Sequence, residues 1–103
     1  MIDPGVVFGA LADDTRRTVF MRVADSGEAT ASELARDLPV TRQAVAKHLS
    51  LLASAGLVES ERVGRETRFH ARSEPLSDAI DWMASVGGRW DERLARLSAL
   101  ARP

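Results

Sequence analysis

Apolar positions along this chain fall into stripes of helical spacing, interrupted once by two stretches that read as strands. Asp3 is a candidate N-cap and Pro4 suits a first helical position, so a short helix is expected from Pro4 to about Leu11. A second helix is expected after Asp13 or Asp14, reaching about Ala24. Its apolar face is Val19, Phe20, Val23 and Ala24, and Ser26-Gly27 ends it. Thr30-x-x-Glu33 is a capping box for a third helix with Leu34 and Leu38 on its apolar edge. Pro39 stops that helix, because proline lacks a backbone donor and biases Leu38 out of helical geometry. Thr41 then caps a fourth helix that runs to about Ala55, with Gly56 as the natural C′ residue.

Only Leu38-Pro39-Val40 separates the third and fourth helices, the turn length of a helix-turn-helix. On the fourth helix Val45, Leu49 and Leu52 share one face. Gln43, Lys47 and Ser50, with Ala46 beside them, form a polar stripe opposite. Residues of this kind can meet base edges: glutamine suits adenine, lysine suits guanine, serine either. A plain solvated helix face would look similar, so the order of the surrounding elements carries more weight than the stripe. Leu57 to Val63 and Thr67 to Arg72 read as a hairpin around Gly64-Arg65. A two-residue loop sets Glu61 opposite Arg68 and Ser60 opposite Phe69, and puts Val58, Phe69 and Ala71 on one packing face. Arg62, Arg65 and Arg68 gather toward the tip, where arginine can meet phosphates or a narrow minor groove. The expected fold is mainly α with a small β-hairpin, a winged helix-turn-helix of five helices and a two-stranded wing. Such a fold presents its fourth helix to the major groove.

Pro75 opens the fifth helix, expected to about Leu100. Leu76, Ile80, Met83, Gly87, Trp90, Leu94 and Leu97 step along it by fours and threes, a heptad-like seam with Gly87 as its weak spot. About 25 helical residues span roughly 37 Å, whereas a 100-residue domain has a radius of gyration of about 13 Å. Part of the helix must overhang, and a second copy of the chain is the simplest cover for its stripe. The assignment is a single domain over residues 1–103, with the helix-turn-helix at about 31–55, the wing at about 57–72 and a C-terminal dimerisation helix at about 75–100.

The formal net charge is −1, so the molecule as a whole does not advertise a nucleic-acid partner. Its distribution does. Residues 36–72 hold seven basic and four acidic side chains, whereas residues 1–35 hold three and six. A local basic face on a near-neutral body is an electrostatic footprint for DNA. Cysteine is absent, which removes disulfides and thiolate metal sites and is compatible with a reducing cytoplasm. Residues 1–4 carry no basic stretch, so no signal peptide is expected, and no apolar run is long enough to span a bilayer. No membrane association is expected.

The segments FGALADDTRRTVF, SELARDL, RQAVAKHLSLLASAGLVES and GRETRFHA resemble, in order and spacing, the ArsR/SmtB-type bacterial transcriptional repressors. The resemblance covers about residues 6–73. Asp14 stands where the family commonly has proline, Pro39 where the turn usually has glycine, and Ala46 where serine is frequent. The resemblance implies a homodimer built from the first and fifth helices, bound to double-stranded DNA at a near-palindromic operator and acting at the nucleoid in the cytoplasm. It implies DNA contacts at Thr41, Arg42, Gln43, Ala46, Lys47 and His48 and on the wing; the stripe and the wing arginines add Ser50, Arg62, Arg65 and Arg68. The dimer interface is assigned to Val6, Val7, Ile80, Met83, Trp90, Leu94 and Leu97.

The family's best-known members sense metals through a thiolate pair in the segment aligned with Thr30-Ala31-Ser32, and those ligands are missing here. Other members use histidine and carboxylates on the last helix. Here that helix carries Asp78, Asp81, Asp91 and Glu92 but no histidine, a set that suits zinc poorly. No metal and no cofactor is expected; an effector of unidentified chemistry remains compatible. No catalytic constellation recurs, since His48 and His70 are far apart in sequence and Gly87-Gly88 has no phosphate-loop neighbours, so the chain is not expected to be an enzyme. The alternative is a winged-helix protein-interaction module without DNA binding. The basic middle segment and the polar stripe weigh against it.

Overall fold

The computed structural model describes residues 3–101, and within them the side chains of residues 94, 100 and 101 lie outside the description. The elements run α1 (Pro4–Ala10), α2 (Asp14–Ser26), α3 (Ala31–Asp37), α4 (Arg42–Ser54), β1 (Val58–Val63), β2 (Glu66–Ala71) and α5 (Glu74–Ala101). Each helix start is explained by its cap. The carboxylate of Asp3 accepts from the Gly5 amide, that of Asp13 from Arg16, and the Thr41 hydroxyl from Ala44. The capping box of α3 is complete: the Thr30 hydroxyl accepts from the Glu33 amide at 3.1 Å, and a Glu33 oxygen accepts from the Thr30 amide at 3.0 Å.

The stop signals are equally local. Gly56, at φ 76°, follows α4. The Gly56 amide donates to Ala53 O and the Leu57 amide to Leu52 O, both at 3.0 Å, the paired bonds of a Schellman ending. That ending drops Leu57 into the core and launches β1. The hairpin has the two-residue loop Gly64-Arg65, with Ser60 opposite Phe69 and Glu61 opposite Arg68. Its free edge receives one bridge that the sequence did not announce. Ala29, just before α3, exchanges both backbone hydrogen bonds with Phe69, at 2.9 and 2.8 Å. The wing is thereby tied to the entry of the helix-turn-helix.

The core lies between α2, α4 and the root of the wing, where Val19, Val23, Val45, Leu49, Leu52 and Leu57 are fully buried. Phe69, Ala71 and Leu76 pack against it from the rim. Two expectations shift by one helical step. Ala24 is exposed, not part of the apolar face of α2. Val7 is 1% exposed, core within the protomer and not available to a dimer surface, because α1 turns Val7 inward and Val6 outward.

The TRR segment closes α1 onto α2. Arg16 donates to the carbonyls of Ala10 and Gly9, and Arg17 donates to that of Leu11 at 2.7 Å. Guanidinium donors here satisfy the orphan carbonyls at the end of a short helix. Helix α5 packs on α1 through its first turns, where Pro75 and Ala79 are buried and Trp82 meets Phe8 at a ring separation of 5.9 Å. Beyond Val86 its described side chains are exposed. Its 28 residues reach about 42 Å, and the molecule extends 71 Å along its long axis, with a radius of gyration of 18.6 Å. No helix among the described residues is long and apolar enough to cross a membrane.

Candidate nucleic-acid interface

Helix α4 presents the polar stripe to solvent. Gln43, Ala46, Lys47 and Ser50 are exposed, while Val45, Leu49 and Leu52 on the far side are sealed in the core. Because that apolar face is fixed, the rotation of the stripe is fixed too. Thr41 is exposed but its oxygen already accepts from Ala44, so it has its hydroxyl proton to offer. Arg42 is held by a 2.9 Å hydrogen bond from its Nε to Ser32 Oγ on α3.

The hairpin forms the other wall. Between it and α3–α4 lies a cleft of about 560 Å³, lined among others by Arg36, Arg42, Arg62, Arg65, Glu33 and Glu66. Four arginines, from α3, α4 and the wing, thus line one concavity. The structure therefore brings Arg42, Ala46, Arg62 and Arg65 to one cleft, with Gln43, Lys47 and Ser50 on the adjoining helix surface. Arg36 belongs to the same wall and carried no role in the sequence reading. Its place in the basic segment is legible in the sequence; its position in one cleft with the wing arginines is not.

Two expected contacts are placed otherwise. His48 is half-buried on the edge of α4, turned from the stripe toward the N-cap of α2, and its Nδ1 is buried without a partner among the described residues. The Arg16 amide first, then the charges of His48 and Arg16, hold the Asp13 carboxyl below its usual range. A step of five residues from Gln43 rotates His48 about 140° away from it, enough to leave the polar face. Arg68 is half-buried and committed to carboxylates: Glu66 at 2.8 Å, Glu28 at 3.3 Å and Glu33 at 3.8 Å. It sits on the opposite face of the hairpin from Arg62, whose Nε donates to Gly64 O at 3.3 Å within the loop.

Of the residues assigned to the dimer surface, Val6, Ile80, Met83, Trp90 and Leu97 are exposed in the protomer; the Leu94 side chain is outside the described residues. Phe8, Trp82 and Leu51 extend the exposed apolar surface on α1, α5 and α4. Among the described residues, no three His, Cys, Asp or Glu side chains are grouped to hold a metal ion.

Residues 11–61 match the helix-turn-helix domain family. The chain is 41% identical over 80 residues to the HTH-type transcriptional regulator YuzN of Bacillus subtilis, covering 72% of this chain and 87% of that protein. It is 27% identical over 88 residues to the transcriptional repressor SdpR of the same organism, covering 85% and 97%. A solved structure of an ArsR-like transcriptional regulator from Rhodococcus sp. RHA1 superposes with a TM-score of 0.87 at 41% identity, covering 96% of this chain and 92% of that one.

Proposed function

Because this chain belongs to the ArsR/SmtB-type family of winged helix-turn-helix transcriptional regulators, a non-enzymatic family, we propose that it is a homodimeric repressor of a near-palindromic operator. The observation that carries this reading is the exposed stripe of α4 beside a cleft walled by arginines. Gln43, Lys47 and Ser50 face base edges in the major groove. Arg42, Arg62 and Arg65 meet the sugar-phosphate backbone or the adjoining minor groove, and Thr41 donates to a phosphate. Residues 1–103 act as one domain, with Val6, Ile80, Met83, Trp90 and Leu97 covered by a second copy. Two-fold pairing then sets the recognition helices about 34 Å apart, one turn of DNA. Repression is supported by the relative named as a transcriptional repressor. The site of action is the nucleoid in the cytoplasm. DNA binding needs no metal, and a small effector is compatible with the dimer seam.

The test is selection of binding sequences from a random duplex pool, followed by titration of the selected duplex. A near-palindrome with half-sites one turn apart is expected. Gln43→Ala should cost about 1–3 kcal/mol at one base position and relax preference there. Enrichment of no sequence overturns the assignment, and preference unchanged in Gln43→Ala overturns the choice of Gln43 as specificity residue. Operator affinity should be equal in excess chelator and in micromolar zinc; a tenfold difference, about 1.4 kcal/mol of coupling, would make the protein a metal sensor.

A further inference from the structure

The cleft between α3 and the wing has a feature that the proposed DNA reading does not use. Its lining mixes four arginines with two carboxylates, Glu33 and Glu66. Carboxylates facing a DNA backbone repel it, and Glu33 stays ionised. The Thr30 amide and hydroxyl, with smaller help from Arg68 and Arg36, hold its carboxyl below the usual range. Arg68 pairs with both lining carboxylates and with Glu28 as well, yet it does not line the cleft. It stands behind them.

Resting on the DNA-binding reading, we infer that this cleft is a seat for one backbone phosphate, gripped by Arg36 and Arg42 from the helices and by Arg62 and Arg65 from the wing. Arg68 makes that seat possible as a positioning residue: it cancels the carboxylates of the cleft wall and does not touch DNA itself. The geometry gives each arginine a separate job. Arg42 is pre-set by Ser32, so its free amino groups are offered without further ordering. Arg36 comes from outside both the reading helix and the wing, on the last turn of α3. Arg68 bridges the wing to the α2–α3 connection through Glu28 and to the capping box of α3 through Glu33. It therefore also fixes the width of the cleft. A charge-assisted contact in such a seat is sequence-blind, so it adds affinity and register without specificity.

Affinity for the selected duplex and for a random duplex is measured by fluorescence anisotropy across a salt series. Arg36→Gln should weaken binding to both by about threefold or more and reduce the salt slope of the dimer by up to about 1.8, about 0.9 for the phosphate held by each protomer. Arg68→Gln should weaken both at least as much, while Arg68→Lys retains most of the affinity. Adding Glu33→Gln and Glu66→Gln to Arg68→Gln should restore binding to within about twofold of the parent, because the uncancelled charges are gone. Glu33→Gln preserves the capping box, which accepts either residue, and thermal melts of each variant report folding separately. The inference is overturned if Arg36→Gln leaves the slope unchanged, or if the carboxylate substitutions fail to rescue a folded Arg68→Gln. A parent protein that binds neither duplex at low salt overturns the DNA reading and the phosphate seat together. Binding by the parent with no effect at Arg36 overturns the seat alone.

Discussion

The wing and the outer half of α5 both project from the core into solvent, but they do so with opposite chemistry. The wing exposes arginines and is braced at its root by the Ala29–Phe69 bridge and the Arg68 carboxylate network. The outer half of α5 exposes Trp90 at 56% and Leu97 at 61%. A polar projection braced from behind is ready for a charged polymer in water. An amphipathic one with an uncovered apolar seam keeps its helical form in the folded molecule only at the cost of wet hydrocarbon, and a helix of that length standing alone is marginal. The contrast separates two tasks along the chain: residues that work as they stand, and residues that work when covered.

Substitutions in the body that carries both projections should have the largest effect. Leu49 is fully buried on α4, directly behind the reading stripe. Leu49→Ala should cost about 2–5 kcal/mol in urea unfolding, with loss of DNA binding following from loss of fold. The arm should behave in the opposite way. Leu97→Asp is expected to leave the unfolding free energy of dilute protein within about 0.5 kcal/mol of the parent, since the side chain is mostly exposed in the protomer. It should abolish self-association in sedimentation. If Leu97→Asp unfolds the dilute protein, the arm is part of the core's cooperative unit and the contrast fails.

Next come the caps, which are confined to the braced half. Thr30→Ala removes one partner of the capping box and should cost about 0.5–2 kcal/mol. The same half sets the acid limb of stability. Asp13 and Glu33 have pKa values below their ordinary 3.8 and 4.5, chiefly because backbone amides donate to the charged carboxylates; Glu74, at the start of α5, is lowered in the same way. A carboxylate whose folded pKa is depressed contributes stability that is fully present above its unfolded value and is lost as pH falls through the folded one. The melting temperature should therefore hold from neutral pH down to about 5 and fall below it. Asp13→Asn, which can still cap, should shallow that fall. A melting temperature that rises on acidification would contradict the sign.

What was legible in the sequence follows from this division. Caps, stops and the hairpin register were readable because each rests on two or three neighbouring residues: Thr30 with Glu33, Gly56 after α4, Gly64-Arg65 between the strands. Side-chain commitments across elements were not. Arg68 reads as a wing-tip cation because its partners Glu28 and Glu33 lie 40 and 35 residues earlier. Val7 and Val6 are both apolar, and only the packing of α1 tells which one faces in. His48 sits at the border of the α4 stripe, where a rotation of one residue's worth decides between solvent and the α2 N-cap. Arg36 is legible as charge but not as part of the cleft, since the wing arginines that share it lie far along the chain.

The smallest expected effect tests why the arm contains Gly87 and Gly88. A glycine inside a helix costs about 0.8–1 kcal/mol relative to alanine, and a Cβ added at either position meets nothing within 4 Å in the protomer. Within one chain, then, alanine should fit better. The glycines sit just past Val86, where α5 leaves α1 and its apolar residues lose cover. If that cover is a second α5, the missing side chains allow the two backbones to approach more closely than alanine would permit. Gly87→Ala should then raise the helical circular dichroism of dilute protein by an amount consistent with at most about 1 kcal/mol, while weakening self-association in sedimentation. The opposite signs are the point of the measurement, because a purely intrachain role predicts that helicity and association rise together. An association constant that increases in Gly87→Ala would mean that the glycines mark a tolerated weakness in the arm and that the partner helix crosses elsewhere.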